Sequence, residues 1–137
     1  MMLQYSVSET GMKLSGFKIL VLEDDPIIAL DVEMSLQDYG ADVVHCLSPE
    51  EALEAMTQHV FNCAVLDVNL GKNKTCADVA VRLKEYGIPF ILHSGDLRRR
   101  GELIEEIGAP VVVKPSSDEQ LVNCLVDHLT QTGHLSA

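Results

Sequence analysis

What the sequence lacks narrows it first. It has no apolar run of membrane-spanning length, and its N-terminus does not carry the charged-then-apolar pattern of a secretion signal, so a cytoplasmic protein is expected. It has no excess of positive charge: 10 Lys and Arg stand against 21 Asp and Glu, a net charge of −11, which argues against binding nucleic acid through phosphate attraction. The one basic cluster, Arg98-Arg99-Arg100, is too short to reverse that. None of the four cysteines (Cys46, Cys63, Cys76, Cys124) forms a CxxC pair, and none of the five histidines (His45, His59, His93, His128, His134) lies at zinc-finger spacing. The cysteines therefore read as small reduced core residues, and no soft-ligand metal site is expected. There is no Ser/His/Asp or Cys/His arrangement, no internal repeat and no low-complexity tract.

What is present is a chain of 137 residues, enough for one domain with a real core and too short for two ordinary ones. Its 47% hydrophobic and 23% charged residues are ordinary for a globular protein. Residues 1–16 are polar and read as a mobile leader, with Met12 as an alternative start. Residues 17–130 read as the domain and 131–137 as a short tail that should fray. Phe17–Leu22 is a first strand ending in Glu23-Asp24-Asp25. Pro26 opens a helix at a position that tolerates the missing N–H; Ile28, Val32 and Leu36 form its buried stripe, and Gly40 stops it. Asp42–Cys46 is a second strand. Ser48-Pro49-Glu50-Glu51 is a capping box for a helix that turns Ala52, Leu53 and Met56 inward and ends near His59.

Asn62–Leu66 is a third strand leading into Asp67. After the loop Gly71–Lys74, Thr75 is the expected cap of a helix with Val79, Ala80 and Leu83 inward, closed by Gly87. Ile88–His93 is a fourth strand, followed by the turn Ser94-Gly95-Asp96. Leu97–Ile107 reads as a weak helix, because Gly101 inside it costs about 1 kcal/mol against Ala. Ala109–Val113 is a fifth strand ending at Lys114-Pro115. Ser117 and Gln120 make a second capping box for a last helix that buries Leu121, Cys124, Leu125 and Leu129. Strands alternating with helices predict parallel βαβ units, an α/β sheet covered on both faces.

Polar residues gather at strand ends. Glu23 and Asp24 close the first strand, Asp67 the third, Ser94 the fourth and Lys114 the fifth. Alone, Asp67 would as readily begin a turn or cap a helix. With its companions it lies where open α/β sheets bind ligands, beyond the carboxyl ends of the strands. Three carboxylates in one pocket repel one another, and a hard divalent cation such as Mg²⁺, which prefers one or two carboxylates plus phosphate oxygens, relieves the repulsion. Mg²⁺ and Lys114 suit a transferring phosphoryl group, Asp67 can be its nucleophile, and Ser94 can donate to an oxygen.

The sequence resembles the receiver domain of two-component response regulators. The resemblance is carried by Ile19-Leu20-Val21-Leu22-Glu23-Asp24-Asp25-Pro26, Ala64-Val65-Leu66-Asp67-Val68-Asn69-Leu70, Phe90-Ile91-Leu92-His93-Ser94-Gly95 and Val112-Val113-Lys114-Pro115, and it covers about Phe17 to Leu129. It implies a doubly wound five-stranded parallel sheet of order 2-1-3-4-5, the flavodoxin-like receiver fold. It implies that Asp67 accepts a phosphoryl group from a histidine kinase or phosphotransfer protein. Glu23, Asp24, Asp67 and the backbone carbonyl of Asn69 would hold Mg²⁺, Lys114 would pair with phosphoryl oxygens, and Ser94 would move toward them. Asp25 is the less secure ligand.

The chain departs from the family pattern in three places. Val111 stands where receivers usually carry Tyr or Phe, Asn69-Leu70-Gly71 where many have Met-Pro after the phosphoacceptor, and Ser116 where many have an aromatic. Without the ring, the segment Ser94 to Ile107, loosened by Gly95 and Gly101, is expected to carry the signal, with its arginines offered to an acidic partner. The expected function is that of a stand-alone phosphorelay module without an attached output domain, not an enzyme beyond its own phosphorylation and dephosphorylation. It would act on an unknown downstream protein, with room for a homodimer and without binding nucleic acid or membrane. The alternatives are a pseudo-receiver that binds protein without taking phosphate, and an aspartate-nucleophile phosphatase; the latter needs a second acid where Asn69 stands.

Overall fold

Five short apolar runs pair side by side, all parallel, in the order β2-β1-β3-β4-β5. The computed structural model describes residues 13–95, 97–98 and 100–136. Along them run β1 (Lys18–Leu22), α1 (Pro26–Asp38), β2 (Asp42–Cys46), α2 (Pro49–Gln58), β3 (Cys63–Asp67), α3 (Ala77–Glu85), β4 (Phe90–Ser94), α4 (Gly101–Ile107), β5 (Val111–Val113) and α5 (Asp118–Gln131). Each of α1 to α4 returns the chain for the next parallel strand. This is the doubly wound α/β fold that the sequence predicts.

Alternation along the strands splits the core in two. Leu20, Leu22, Ala64, Leu66, Phe90 and Leu92 face one side, where Ala52, Met56, Val79, Leu83 and Ile107 of α2, α3 and α4 cover them. Ile19, Val21, Cys63, Val65 and Ile91 face the other, against Val32 and Leu36 of α1 and Leu121, Leu125 and Leu129 of α5. Both faces of β3 and β4 are buried throughout, which explains their unbroken apolar sequence. Cys46, Cys63 and Cys76 are buried free thiols and Cys124 is half-buried. Burial pushes the Cys63 and Cys76 thiols up to about 12, so they remain inert packing groups.

Local sequence sets most element ends, with some corrections. Asp25 caps α1, its Oδ1 accepting from the Ile27 N–H at 2.9 Å. Ser48 caps α2, but Glu51 accepts from the Leu47 N–H at 2.6 Å and not from Ser48, so that box closes one residue early. Thr75 takes the Ala77 N–H, yet α3 has Cys76 at its cap, with no side-chain hydrogen bond from that residue. The Ser117–Gln120 box of α5 is complete. Gly101 begins α4 instead of interrupting a longer helix.

The ends of the domain extend beyond the expected limits. Residues 1–12 of the expected leader lie outside the described residues, but Leu14 is fully buried and its N–H bonds the Tyr39 carbonyl at 2.9 Å. One apolar side chain in a polar stretch thus belongs to the core. At the other end, Gly133 takes a left-handed φ of 80° and the N–H groups of His134 and Leu135 both reach the Leu129 carbonyl. The tail expected to fray folds back, and Leu135 packs against the core. Among the described residues no helix is long and apolar enough to cross a membrane.

Candidate metal and phosphoryl site

Register brings the polar strand ends to one edge. Leu22 pairs with Leu66, Leu66 with Leu92, and Asp67 with His93. Ser94 pairs with Val113, and the Lys114 N–H bonds the Ser94 carbonyl at 2.8 Å. The residues just past β1 and β5, and the last residues of β3 and β4, therefore share one level of the sheet. Glu23, Asp24 and Asp67 each offer a carboxylate oxygen within 4.8 Å of the others. Asp25 is not in this group because its carboxylate is spent on the α1 cap.

Lys114 is the cation of the cluster. Its ammonium lies 2.5 Å from Glu23 Oε1 and 3.2 Å from Asp67 Oδ2. Among the described residues the cluster sets three carboxylates against this one ammonium. Burial first, and then the charge of Glu23, push Asp67 up to about 7 against the pull of Lys114. Asp24 is raised by desolvation and by Glu23. Burial works to raise Glu23 as well, but its hydrogen bonds from Lys114 and from the Asp25 N–H outweigh burial and leave it below the usual carboxylate range. Lys114 is itself raised, its two carboxylate partners overcoming the cost of burial.

Two features fit the site to a cation and an anionic group. All the clustered donors are carboxylate oxygens, the ligand set of Mg²⁺ or Ca²⁺ and not of Zn²⁺. Ser94 Oγ, at the neighbouring strand end, is fully buried and has no hydrogen-bond partner among the described residues; a buried hydroxyl without one is costly and leaves a donor open beside the cluster.

The loop after β3 shapes the remaining wall. Gly71, Lys72 and Asn73 take φ of 70°, 49° and 61° in succession, a turn that lets the Leu70 N–H bond the Lys74 carbonyl at 3.0 Å and Asn69 pair with Thr75. A Cβ on Gly71 would lie 3.2 Å from Asp24 Oδ2, so the absent side chain leaves room for that carboxylate. The turn fixes the backbone of Asn69.

Two contacts were not legible in the sequence. Arg100 Nε donates to Asn69 Oδ1 at 2.8 Å, so the last arginine of the basic cluster is half-buried against the site and not a solvated charge. Arg98 is exposed; Asp96 and Arg99 lie outside the described residues. His93, buried on the α1 and α5 side, meets Ser116 Oγ at 3.1 Å. Both contacts join side chains far apart in the chain and have no periodic or local signature. Val111 is half-buried on β5 and brings no ring to this region.

No curated protein sequence matches the chain at a significant level. Solved structures do match in fold. Chemotaxis protein CheY4 of Vibrio cholerae is 24% identical, with a TM-score of 0.73 over 82% of this chain and 98% of that one. A response regulator receiver protein from Sinorhizobium medicae is 23% identical, with a TM-score of 0.76 over 87% and 98%. A CheY-like receiver domain from Methanospirillum hungatei is 20% identical, with a TM-score of 0.76 over 85% and 96%. The family profile described as the response regulator receiver domain matches residues 19–126, most of the chain and every candidate site residue. The chain belongs to the response regulator receiver domain family of two-component signalling.

Proposed function

We propose that this receiver accepts a phosphoryl group on Asp67 from a phosphohistidine of a histidine kinase or phosphotransfer protein, and that the modified surface then binds a downstream protein. The observation that carries this reading is the placement of Asp67 Oδ2 3.2 Å from the Lys114 ammonium, within a trio of carboxylates in which Glu23 and Asp67 are buried and Asp24 is exposed. Glu23, Asp24, Asp67 and the Asn69 carbonyl are the residues to hold Mg²⁺. When bound, the cation supplies positive charge that keeps the acids ionised and offsets charge on the transferring group.

The reaction needs little from the protein beyond placement. An Asp67 carboxylate oxygen attacks the phosphorus, a P–O bond forms and the P–N bond breaks. The leaving imidazole keeps the bonding electron pair and takes a proton. Lys114 holds one phosphoryl oxygen by a charge-assisted bond, and Ser94 Oγ donates to another. Burial of Asp67 limits the access of water to the acyl phosphate. Asn69, with no acid proton, does not assist hydrolysis as a phosphatase acid would. This reading places the protein in the cytoplasm with its phosphodonor.

The test is incubation with a small phosphodonor and Mg²⁺, followed by intact mass. The wild type should gain one phosphoryl increment and Asp67→Asn none. Equal labelling of the two would reject Asp67, and labelling of neither would favour a receiver that binds protein without taking phosphate.

A further inference from the structure

The geometry points to Arg100 as the residue that carries the state of Asp67 to α4. With Asp67 unmodified the guanidinium holds the Asn69 amide oxygen; with a phosphoryl group on Asp67 it leaves that neutral partner for a phosphoryl oxygen and draws the start of α4 with it. This inference rests on the phosphoacceptor reading above.

The argument begins with α4 itself. It has seven residues, of which Ile107 alone is buried and Leu103 and Ile104 are partly so. Its two ends are held differently. At the C-terminal end Gly108 closes the helix in the left-handed region, and the Lys84 ammonium of α3 bonds the Ile107 carbonyl, a cation at the end that favours one. At the N-terminal end the cap residue is Arg100, which makes no side-chain cap bond. Arginine is a poor cap, and its charge opposes the helix dipole there. Among the described residues, the bond from Arg100 Nε to Asn69 Oδ1 ties that end to the loop after β3.

The partner is the fixed one of the pair. Asn69 lies two residues after Asp67, on a loop closed by the Gly71–Asn73 turn and paired with Thr75. Arg100 is the end free to move, hinged on a pinned C-terminus. A phosphoryl group on Asp67 would replace the carboxylate's single charge with a group carrying nearly two, and bring three acceptor oxygens close to that loop. A guanidinium bond to such an oxygen joins two opposite charges and can be bidentate, whereas the bond to the Asn69 amide carries charge on the donor side alone, so the exchange is downhill. Val111 leaves no aromatic ring to perform the coupling in its place.

The experiment uses the full chain with Mg²⁺ and beryllofluoride as the phosphoryl mimic, reading mimic binding by native mass and hydrogen exchange over residues 101–107. Wild type should bind the mimic and change its exchange there several-fold. Arg100→Gln keeps a donor for Asn69 but not the charge; it should bind the mimic with resting protection of α4 near wild type, yet lose the mimic-induced change. Arg100→Lys keeps the charge and should restore part of it. The lifetime of the phosphoryl group on Asp67 should also differ between wild type and Arg100→Gln. A full exchange response in Arg100→Gln, or altered resting protection with an unaltered response and lifetime, would overturn the inference. Failure of all three proteins to bind the mimic would instead reject the phosphoacceptor reading, and this inference with it.

Discussion

His93 Nε2 lies 3.1 Å from Ser116 Oγ, linking β4 to the segment that follows Lys114. The ring is buried, and desolvation, followed by the charge of Lys114, pulls it down to about 4 from an ordinary 6.5. The folded protein therefore holds His93 neutral at pH values where the unfolded chain protonates it. Stability from this group is complete above 6.5 and is lost as pH falls toward 4. At 1.36 kcal/mol per unit, and allowing for residual solvent, the loss is about 2 kcal/mol. Denaturant unfolding of wild type and His93→Gln at several pH values should show the stability difference between them shifting by that amount between pH 7 and pH 4.5. A pH-independent difference would mean that the ring is not held neutral. Other titrating groups are common to both proteins and cancel.

Asp67 works in the opposite direction. Its folded value of about 7 lies above the ordinary 3.8, because burial and Glu23 penalise its charge. The unfolded chain ionises first, so stability is present below 3.8 and is lost as pH rises toward 7. Above pH 7, without divalent cations, Asp67→Asn should therefore be more stable than wild type, by about 2 kcal/mol once screening and coupling to Glu23 are allowed for. The advantage should shrink toward pH 4 and also on adding Mg²⁺, which rewards the carboxylate. Urea unfolding in chelator and in Mg²⁺ is the measurement. An Asn variant less stable than wild type in chelator would contradict the assignment of Asp67 as a strained charge. The acid proposed to take the phosphoryl group is then also the one that costs stability.

These groups differ in how far the sequence exposes them. Asp67 was legible because an apolar run ends in it and its polar companions end other such runs. Sheet order came from family resemblance, since alternation of strands and helices does not say which strands are neighbours. The contacts Arg100–Asn69 and His93–Ser116 depend on where loops from different crossovers meet, and no local pattern encodes that. Leu14 was missed because one apolar residue among polar ones makes no periodicity. Gly101 was misplaced because the cost of glycine inside a helix says nothing about a glycine that opens one.

Gly71 offers a test of the wall around Asp24. Its φ of 70° disfavours any L side chain, and a Cβ there would meet Asp24 Oδ2 at 3.2 Å. Gly71→Ala should cost about 1 kcal/mol through backbone strain and also weaken Mg²⁺ binding by displacing Asp24. Gly87 has the same φ with nothing within 4 Å, so Gly87→Ala should show the strain without the loss of affinity. Calorimetric titration separates the two. Equal Mg²⁺ affinity in both variants would remove Asp24, or its contact with Gly71, from the account.

Lys114 completes the set, because it is the positive partner of two buried carboxylates. Removing one side of a buried ion pair leaves the other charge uncompensated, which costs more than the pair itself contributes. Lys114→Ala should therefore be less stable than wild type in chelator near pH 8, by about 2 kcal/mol after allowing for the partial exposure of the site. A cation that binds the folded state alone stabilises it by RT ln(1 + c/Kd) at free concentration c, so tighter binding gives more stability at the same concentration. Mg²⁺ in the variant meets carboxylates that no ammonium has already neutralised, so it should bind more tightly and recover more stability than in wild type. Phosphorylation should nonetheless be impaired, because Mg²⁺ would not replace the contact to a phosphoryl oxygen proposed for Lys114 from the β5 side. Melting temperatures across an Mg²⁺ series, with phosphoryl incorporation measured in parallel, read both effects. A variant that loses stability but gains no more from Mg²⁺ than wild type would place the cation away from Glu23 and Asp67. A variant phosphorylated at the wild-type rate would remove Lys114 from the transfer.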